Sequence, residues 1–335
     1  MRLLLNGSFI FSCLLLWAIN AHGQNAIKIQ SVGFNGTLHD NISNAKRQGS
    51  GFRPLIHNAY PEKNLFRNDG VGFNFEHIFN GAKDQHKISM FTPRMDTCHA
   101  KKLKESKYQL SWPSQGSHWG LAAKMIYDFS APNQVDIDFQ CSPETVTLYS
   151  KGYIAMMWAS YMNNAIDRRI HFWGKDGDET GWVAFGEKND GSMEVGTVSH
   201  VNATDLPFEI GAQTLNLVTH PHKKFITPFY YGILDADQKI ETAGDEILYL
   251  VMFDQLTNIR FAMWNFIKNE NDQPDTHSPA WDWQFIVREP KVGQTYKYKT
   301  RVVVKPYKGE NQIWREYERW IKESKAALPG PPKQR

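Results

Sequence analysis

Apolar and polar side chains alternate with a period of two from about residue 71 to residue 305, and no other feature constrains the fold as much. On a pleated strand, residues two apart share a face, so each alternating run sorts its side chains into an oily side and a wettable one. "GFNFEHIF" (72–79) sets Phe73, Phe75, His77 and Phe79 against Asn74 and Glu76. "QVDIDFQC" (134–141) sets Val135, Ile137, Phe139 and Cys141 against Asp136, Asp138 and Gln140. "GYIAMMWASYMN" (152–163) is a longer run of the same kind, with Tyr153, Ala155, Met157, Ala159, Tyr161 and Asn163 on one face. "EILYLVMF" (246–253) and "IRFAMWNFI" (259–267) are apolar on both faces, which suits central strands covered on both sides. Turn pairs Asp69-Gly70, Asn80-Gly81, Asp176-Gly177 and Asp190-Gly191 punctuate the runs. Helical spacing enters only at "NQIWREYERWIKES" (311–324), where Ile313, Tyr317, Trp320 and Ile321 line one face. The expected class is all-β: a large antiparallel β-sandwich with a short C-terminal helix.

The segments at the two ends read differently. Residues 1–23, with Arg2, an apolar run through Ile19 and small residues at Ala21 and Gly23, have the pattern of a secretory signal peptide. The expected organisation is that signal, an N-terminal extended segment at 24–60, the β-sandwich domain at 61–308, a helix at 309–325 and a disordered Pro/Gly-rich tail at 326–335. A secreted or periplasmic protein follows, with no span through the membrane. Beyond the signal, two cysteines remain, Cys98 and Cys141. An oxidising destination permits a disulfide between them, while the apolar line of Val135, Ile137 and Phe139 argues instead that Cys141 is buried. A net charge of +3 with scattered Lys and Arg excludes a strong nucleic-acid footprint.

Candidate chemistry rests on rings and histidines. The chain holds 11 Trp, 13 Tyr and 20 Phe, enough for a large core, a ring-lined ligand surface, or both. A flat ring covers the C–H face of a sugar while Asn, His and Asp bond its hydroxyls. Tyr153, Tyr161 and Asn163 flank the small Ala155 and Ala159, and "IHFWGKDGDETGWVAFG" (170–186) reads as a hairpin with His171 and Trp173 on one face. These residues form a candidate substrate wall, against the alternative that Tyr161 and His171 are hydrogen-bonded core residues. Imidazoles titrate near neutrality, so His77, His118 and His171 are the candidates for proton transfer. His118 in "GSHWG" occupies a loop setting from which it can reach a substrate, whereas alternation turns Glu76 away from His77. Arg168, Arg169 and Asn163 are candidates for neutralising a sugar carboxylate. His220 and His222 in "THPHKKF" resemble half of a metal site but have no third ligand nearby; no metal and no cofactor is expected.

"PAWDWQF" (279–285) opens what reads as a hairpin over 281–304, turning at "EPKVGQ". Trp281 and Trp283 share one face, core or substrate wall, and are expected to meet Tyr296 and Tyr298 across the ladder. Asp282 points away from both rings, onto a solvated, cation-rich face. The stretch "MWASYMNNAIDRRIHFWG" (157–174) and the closing "PAWDWQFIVREPKVGQTYKYKTRVVVKPY" resemble secreted bacterial proteins of uncharacterised function. At the level of fold the chain also resembles the galactose mutarotase-like β-supersandwich proteins, over roughly residues 60–308. That resemblance implies a carbohydrate ligand, oligo- or polysaccharide. It assigns no catalytic residue, because no local motif places the His acid and Glu base of the epimerases. The expected function is an exported carbohydrate-binding β-sandwich doing acid/base chemistry on a sugar, as epimerase, lyase or glycosidase. The alternative is a non-catalytic binding or scaffold protein of the cell envelope.

Overall fold

A computed structural model of the chain describes residues 26–41, 49–188, 190–214, 216–236, 246–265, 268, 271 and 277–332. The signal segment expected at 1–23 lies outside the described residues. Strands β1 (Ala26–Gln30), β2 (Phe34–His39) and β3 (Gly51–His57) make a small antiparallel sheet within the stretch expected to be merely extended. The chain then builds β4 (Asn74–Phe79), β5 (His99–Lys104), β6 (Lys107–Trp112), β7 (Leu121–Asp128), β8 (Gln134–Pro143) and β9 (Tyr153–Ala159). After these come β10 (Ile170–Asp176), β11 (Glu179–Phe185), β12 (Gly196–His200), β13 (Thr219–Phe225), β14 (Phe229–Asp235) and β15 (Glu246–Phe253). The last are β16 (Ile259–Trp264), β17 (Ala280–Arg288), β18 (Tyr296–Pro306) and the helix α1 (Glu310–Ser324).

Fifteen of these strands share one sheet, in the order β4-β9-β17-β16-β12-β13-β10-β14-β15-β18-β8-β7-β6-β5, with β11 alongside β10. All of its ladders are antiparallel except β12–β13. Rings show that the sheet curls until its two ends face each other. Phe75 of β4 meets Trp112 of β6 at 5.3 Å and Phe139 of β8 at 5.7 Å, and Trp158 of β9 meets Phe139 at 4.7 Å. These edge-to-face contacts close a sandwich around one large core, each worth about 0.5–1.5 kcal/mol beyond the area it buries.

The outer faces are covered twice. Over β14, β15 and β18, Leu248, Leu250 and Met252 pack beneath Ile313, Tyr317 and Trp320 of α1. That second cover is why "EILYLVMF" has no polar face: Ile247, Tyr249, Val251 and Phe253 fill the core while the intervening residues meet the helix. Trp320 also donates its indole N–H to the Phe253 carbonyl at 3.1 Å. Over β4, β9, β17 and β16, loops lay Leu206 and Leu217 on Phe79, Ala155, Met157 and Ile286.

Two expectations need correction, and the alternative left open for the cysteines is decided. The 281–304 hairpin does not exist: β17 pairs with β16 and β9, while β18 pairs with β15 and β8. The turn between them carries the chain from one layer of the sandwich to the other. The aromatic faces do meet, but through the core, where Trp283 Nε1 donates to the Tyr298 hydroxyl at 2.8 Å. The tail expected to be disordered is described through residue 332, with Leu328 against the helix cluster and the Pro329 carbonyl accepting from the Tyr317 hydroxyl at 3.0 Å. Cys98 and Cys141 are both buried and both free, so no disulfide links them.

Candidate functional site

The polar chemistry of the outer face begins at a β-bulge. In the β4–β9 ladder Phe75 lies opposite Trp158 and His77 opposite Met157, leaving Glu76 as an extra residue. A bulge places two residues against one and re-aims the side chains on either side of it. Phe75 therefore stays in the core while Glu76 reaches His77, whose Nε2 lies 3.7 Å from Glu76 Oε1. The strict alternation expected from "NFEH" is broken by this one residue.

Glu76 is held hard. Its side chain is 2% exposed. Oε1 accepts from Arg94 Nη1 at 2.7 Å, Oε2 accepts from Asn74 Nδ2 at 3.0 Å, and the Tyr161 hydroxyl lies 3.1 Å from both oxygens. Burial works against the Arg94 charge, but Glu76 and Tyr161 outweigh it and hold the guanidinium pKa above its ordinary value. Burial first, then the Glu76 charge, pushes the Tyr161 phenol up. Next to this group stands a second carboxyl, Asp282, whose Oδ1 accepts the Ser160 N–H at 3.0 Å. Asp282 is buried, not solvated as its strand position suggested. Burial pushes its pKa well up against the pull of the Ser160 N–H, and the nearby Glu76 charge adds to the rise. One carboxyl is thus paired with a cation while burial disfavours the charged form of its neighbour, a division of environments that suits acid/base work.

The loop that supplies Arg94 also supplies Asp96. His118 Nδ1 forms a short hydrogen bond to Asp96 Oδ1, and the His118 backbone N–H donates to Oδ2 at 3.3 Å. The imidazole is 61% exposed while its carboxylate partner is 1% exposed. Burial raises the Asp96 pKa, against the stabilising effect of His118. A ring held at Nδ1 by a buried carboxylate presents Nε2 to solvent in a fixed tautomer and orientation. The Thr92 hydroxyl, four residues before Asp96, accepts the Trp119 indole N–H at 2.9 Å and ties this loop to the His118 turn.

The remaining expected site residues divide among three places. Tyr153 lies in the outer-face cluster along β9 with Ala155 and Met157, and Tyr161 packs at its margin. His171 and Trp173 belong to the patch beside α1: His171 stacks on Tyr231 at 5.0 Å, and Trp173 meets Trp314 at 5.6 Å. Trp281 and Trp283 are 0% exposed within the core. Asn163 donates to the Asn64 carbonyl at 3.0 Å. Arg168 donates to Glu187 at 3.0 Å, while its own carbonyl accepts the Trp281 indole N–H at 2.9 Å. His77 and Tyr161 are therefore brought together, His118 is joined to them through the Arg94–Asp96 loop, and His171 with Trp173 stands apart.

His220 pairs with Glu194 at 3.1 Å, and Glu194 also binds Lys223 at 2.6 Å. Among the described residues no group of three or more His, Cys, Asp or Glu side chains is arranged to hold a metal ion. "KDGDE" is the β10–β11 turn, with Asp176 opposite Glu179. Glu76, Arg94 and Asp96 carry no local sequence signal: the first depends on a bulge, and the other two on a loop that meets partners 18 and 22 residues away.

No family model and no curated protein matches the chain. Solved structures do. A putative aldose 1-epimerase from Escherichia coli K12 aligns over 85% of this chain and 100% of its own, at 7% identity and a TM-score of 0.47. A galactose mutarotase-like protein from Lactobacillus casei aligns over 84% and 100%, at 8% identity and a TM-score of 0.49. An α-N-acetylgalactosaminidase from Bifidobacterium bifidum aligns over 89% of this chain and 39% of its own, at 9% identity and a TM-score of 0.47. The similarity lies in the fold.

Proposed function

We propose that this chain is an exported β-sandwich that binds carbohydrate and performs acid/base chemistry on a sugar, with His118 as the proton-transfer group and Asp96 as the residue that positions it. The observation that carries the reading is the pairing of a solvent-facing imidazole with a buried carboxylate on the loop that also delivers Arg94 to Glu76. An imidazole both takes and gives a proton near neutral pH, and a fixed ring loses little freedom on reaching the transition state. Epimerisation, β-elimination and glycosidic cleavage all need that exchange at a sugar carbon or oxygen.

The test is a panel of aldoses, uronates and oligosaccharides incubated with the full chain and followed by proton NMR for anomeric exchange, unsaturated products or new reducing ends. His118→Ala is expected to lower the rate about 10²–10⁴-fold, the usual contribution of general acid–base catalysis. Asp96→Asn is expected to move the pH optimum as well as lower the rate, which a purely structural role does not do. Turnover that persists unchanged in His118→Ala refutes the assignment.

A further inference from the structure

On the same outer face, away from the bulge, a guanidinium is buried with no salt bridge among the described residues. Arg260 of β16 is 1% exposed. Among the described residues its side chain donates to the Leu217 carbonyl at 2.9 Å, and Nη2 has no partner. Burial, reinforced by the neighbouring Arg288 and only partly opposed by the charge of Asp205 and by Tyr153, lowers its pKa to about 10. Opposite it in the ladder, Gln284 gives its amide N–H to the Asn216 carbonyl at 2.8 Å and leaves Oε1 unpaired. The Tyr153 hydroxyl, an electrostatic neighbour of Arg260, is likewise buried and unpaired. Gly81 sits against that hydroxyl: a Cβ there would fall 2.3 Å from Tyr153 Oη.

An arginine kept for structure alone recovers its desolvation from a carboxylate, whereas one left unpaired among unpaired polar neighbours is arranged for something else. Arg260 Nη2 can only donate, Gln284 Oε1 can only accept, and the Tyr153 hydroxyl can do either. An acceptor-only anion such as sulfate satisfies the guanidinium but repels Gln284 Oε1. A carboxylate beside a hydroxyl satisfies all three, with the hydroxyl donating to Gln284 and the carboxylate accepting from Arg260 and from the Tyr153 hydroxyl.

We propose that Arg260, Gln284 and Tyr153 form a binding site for a small hydroxycarboxylate, either a free hydroxy acid or the acid group of a uronate sugar. As a uronate site it rests on the sugar chemistry proposed above; as a carboxylate site it stands without it.

The experiment measures thermal unfolding and calorimetric binding of the full chain with D-glucuronate, lactate, D-glucose and sulfate. Glucuronate is expected to raise the unfolding temperature while glucose leaves it unchanged. Arg260→Met is expected to weaken glucuronate binding at least about 10-fold, yet to unfold at no lower temperature than the parent, because the unpaired charge is gone. Tyr153→Phe removes one unpaired hydroxyl without touching the fold and is expected to weaken binding more modestly. Glucuronate binding by a chain that turns over no sugar in the panel above leaves this site standing while the proton-transfer assignment fails. Lactate binding as well as glucuronate supports the carboxylate site and counts against the sugar reading. Glucose binding equal to glucuronate, sulfate binding tighter than either acid, or undiminished glucuronate binding in Arg260→Met overturns the proposal.

Discussion

Replacing His171 by phenylalanine asks whether this imidazole is held neutral by burial. His171 stacks on Tyr231 with ring centroids 5.0 Å apart, and its side chain is 21% exposed. Burial lowers its pKa from the ordinary 6.5 to about 4, with Asp167 opposing and Arg169 assisting. A histidine depressed on folding binds fewer protons in the folded chain than in the unfolded one. Its contribution is therefore complete above about pH 6.5 and is lost as pH falls towards 4. The full gap is worth about 3 kcal/mol, of which about 2 kcal/mol is lost between pH 7 and pH 5. Urea unfolding at those two pH values, for the parent and for His171→Phe, isolates the effect. Phenylalanine keeps the stack on Tyr231, and the half-buried His39 and the buried His57 and His200 titrate alike in both proteins. The parent is expected to lose about 2 kcal/mol more than the variant on acidification. Equal losses, or an NMR ring titration with its midpoint near 6.5, refute the reasoning.

Other outcomes follow from the same geometry. Glu76→Gln removes the carboxylate charge that Arg94 binds and is expected to cost about 3 kcal/mol in urea unfolding, while Glu76→Gln with Arg94→Met recovers much of that loss. Additive losses in the double variant refute the pairing. Asp282→Asn is expected to stabilise the fold near pH 7. The raised carboxyl pKa means that the parent's stability is fullest below the unfolded carboxylate range and falls as pH rises, so the variant's advantage shrinks on acidification. A pH-independent difference removes the argument. Trp320→Phe is expected to lose about 1 kcal/mol with the Phe253 hydrogen bond, and Trp320→Ala about 3–5 kcal/mol, measured by the same unfolding.

What could be read from the sequence was set by the pleat. Val135, Ile137 and Phe139 face the core as their spacing requires, and the 311–324 helix buries Ile313, Tyr317 and Trp320 together. Asp282 does point away from its flanking tryptophans, but the loops above it turn an expected wet face into a dry one. Coverage by distant segments leaves no mark on a local pattern. Pairing failed for a related reason: alternation fixes the face of Trp283 but says nothing of which strand lies beside it, so a hairpin and a layer-to-layer crossover look the same. Glu76 was misplaced because one inserted residue, invisible in composition, shifts every face downstream of it by one step. The His118 loop setting was legible from Gly116, Ser117 and Gly120 around it, whereas Asp96 was not, since only the folded chain brings it to the ring.

The position of β18 sets the order in which the molecule can be completed. Among the described strands it comes last in sequence, yet it lies between β15 and β8 and is the strand that hydrogen-bonds the one half of the wide sheet to the other. Without residues 296–306 the ladder order divides at this point, leaving open, hydrogen-bond-hungry margins at β15 and β8. Such margins attract other chains, so a truncation that removes this keystone is destined for aggregation rather than for a smaller stable domain.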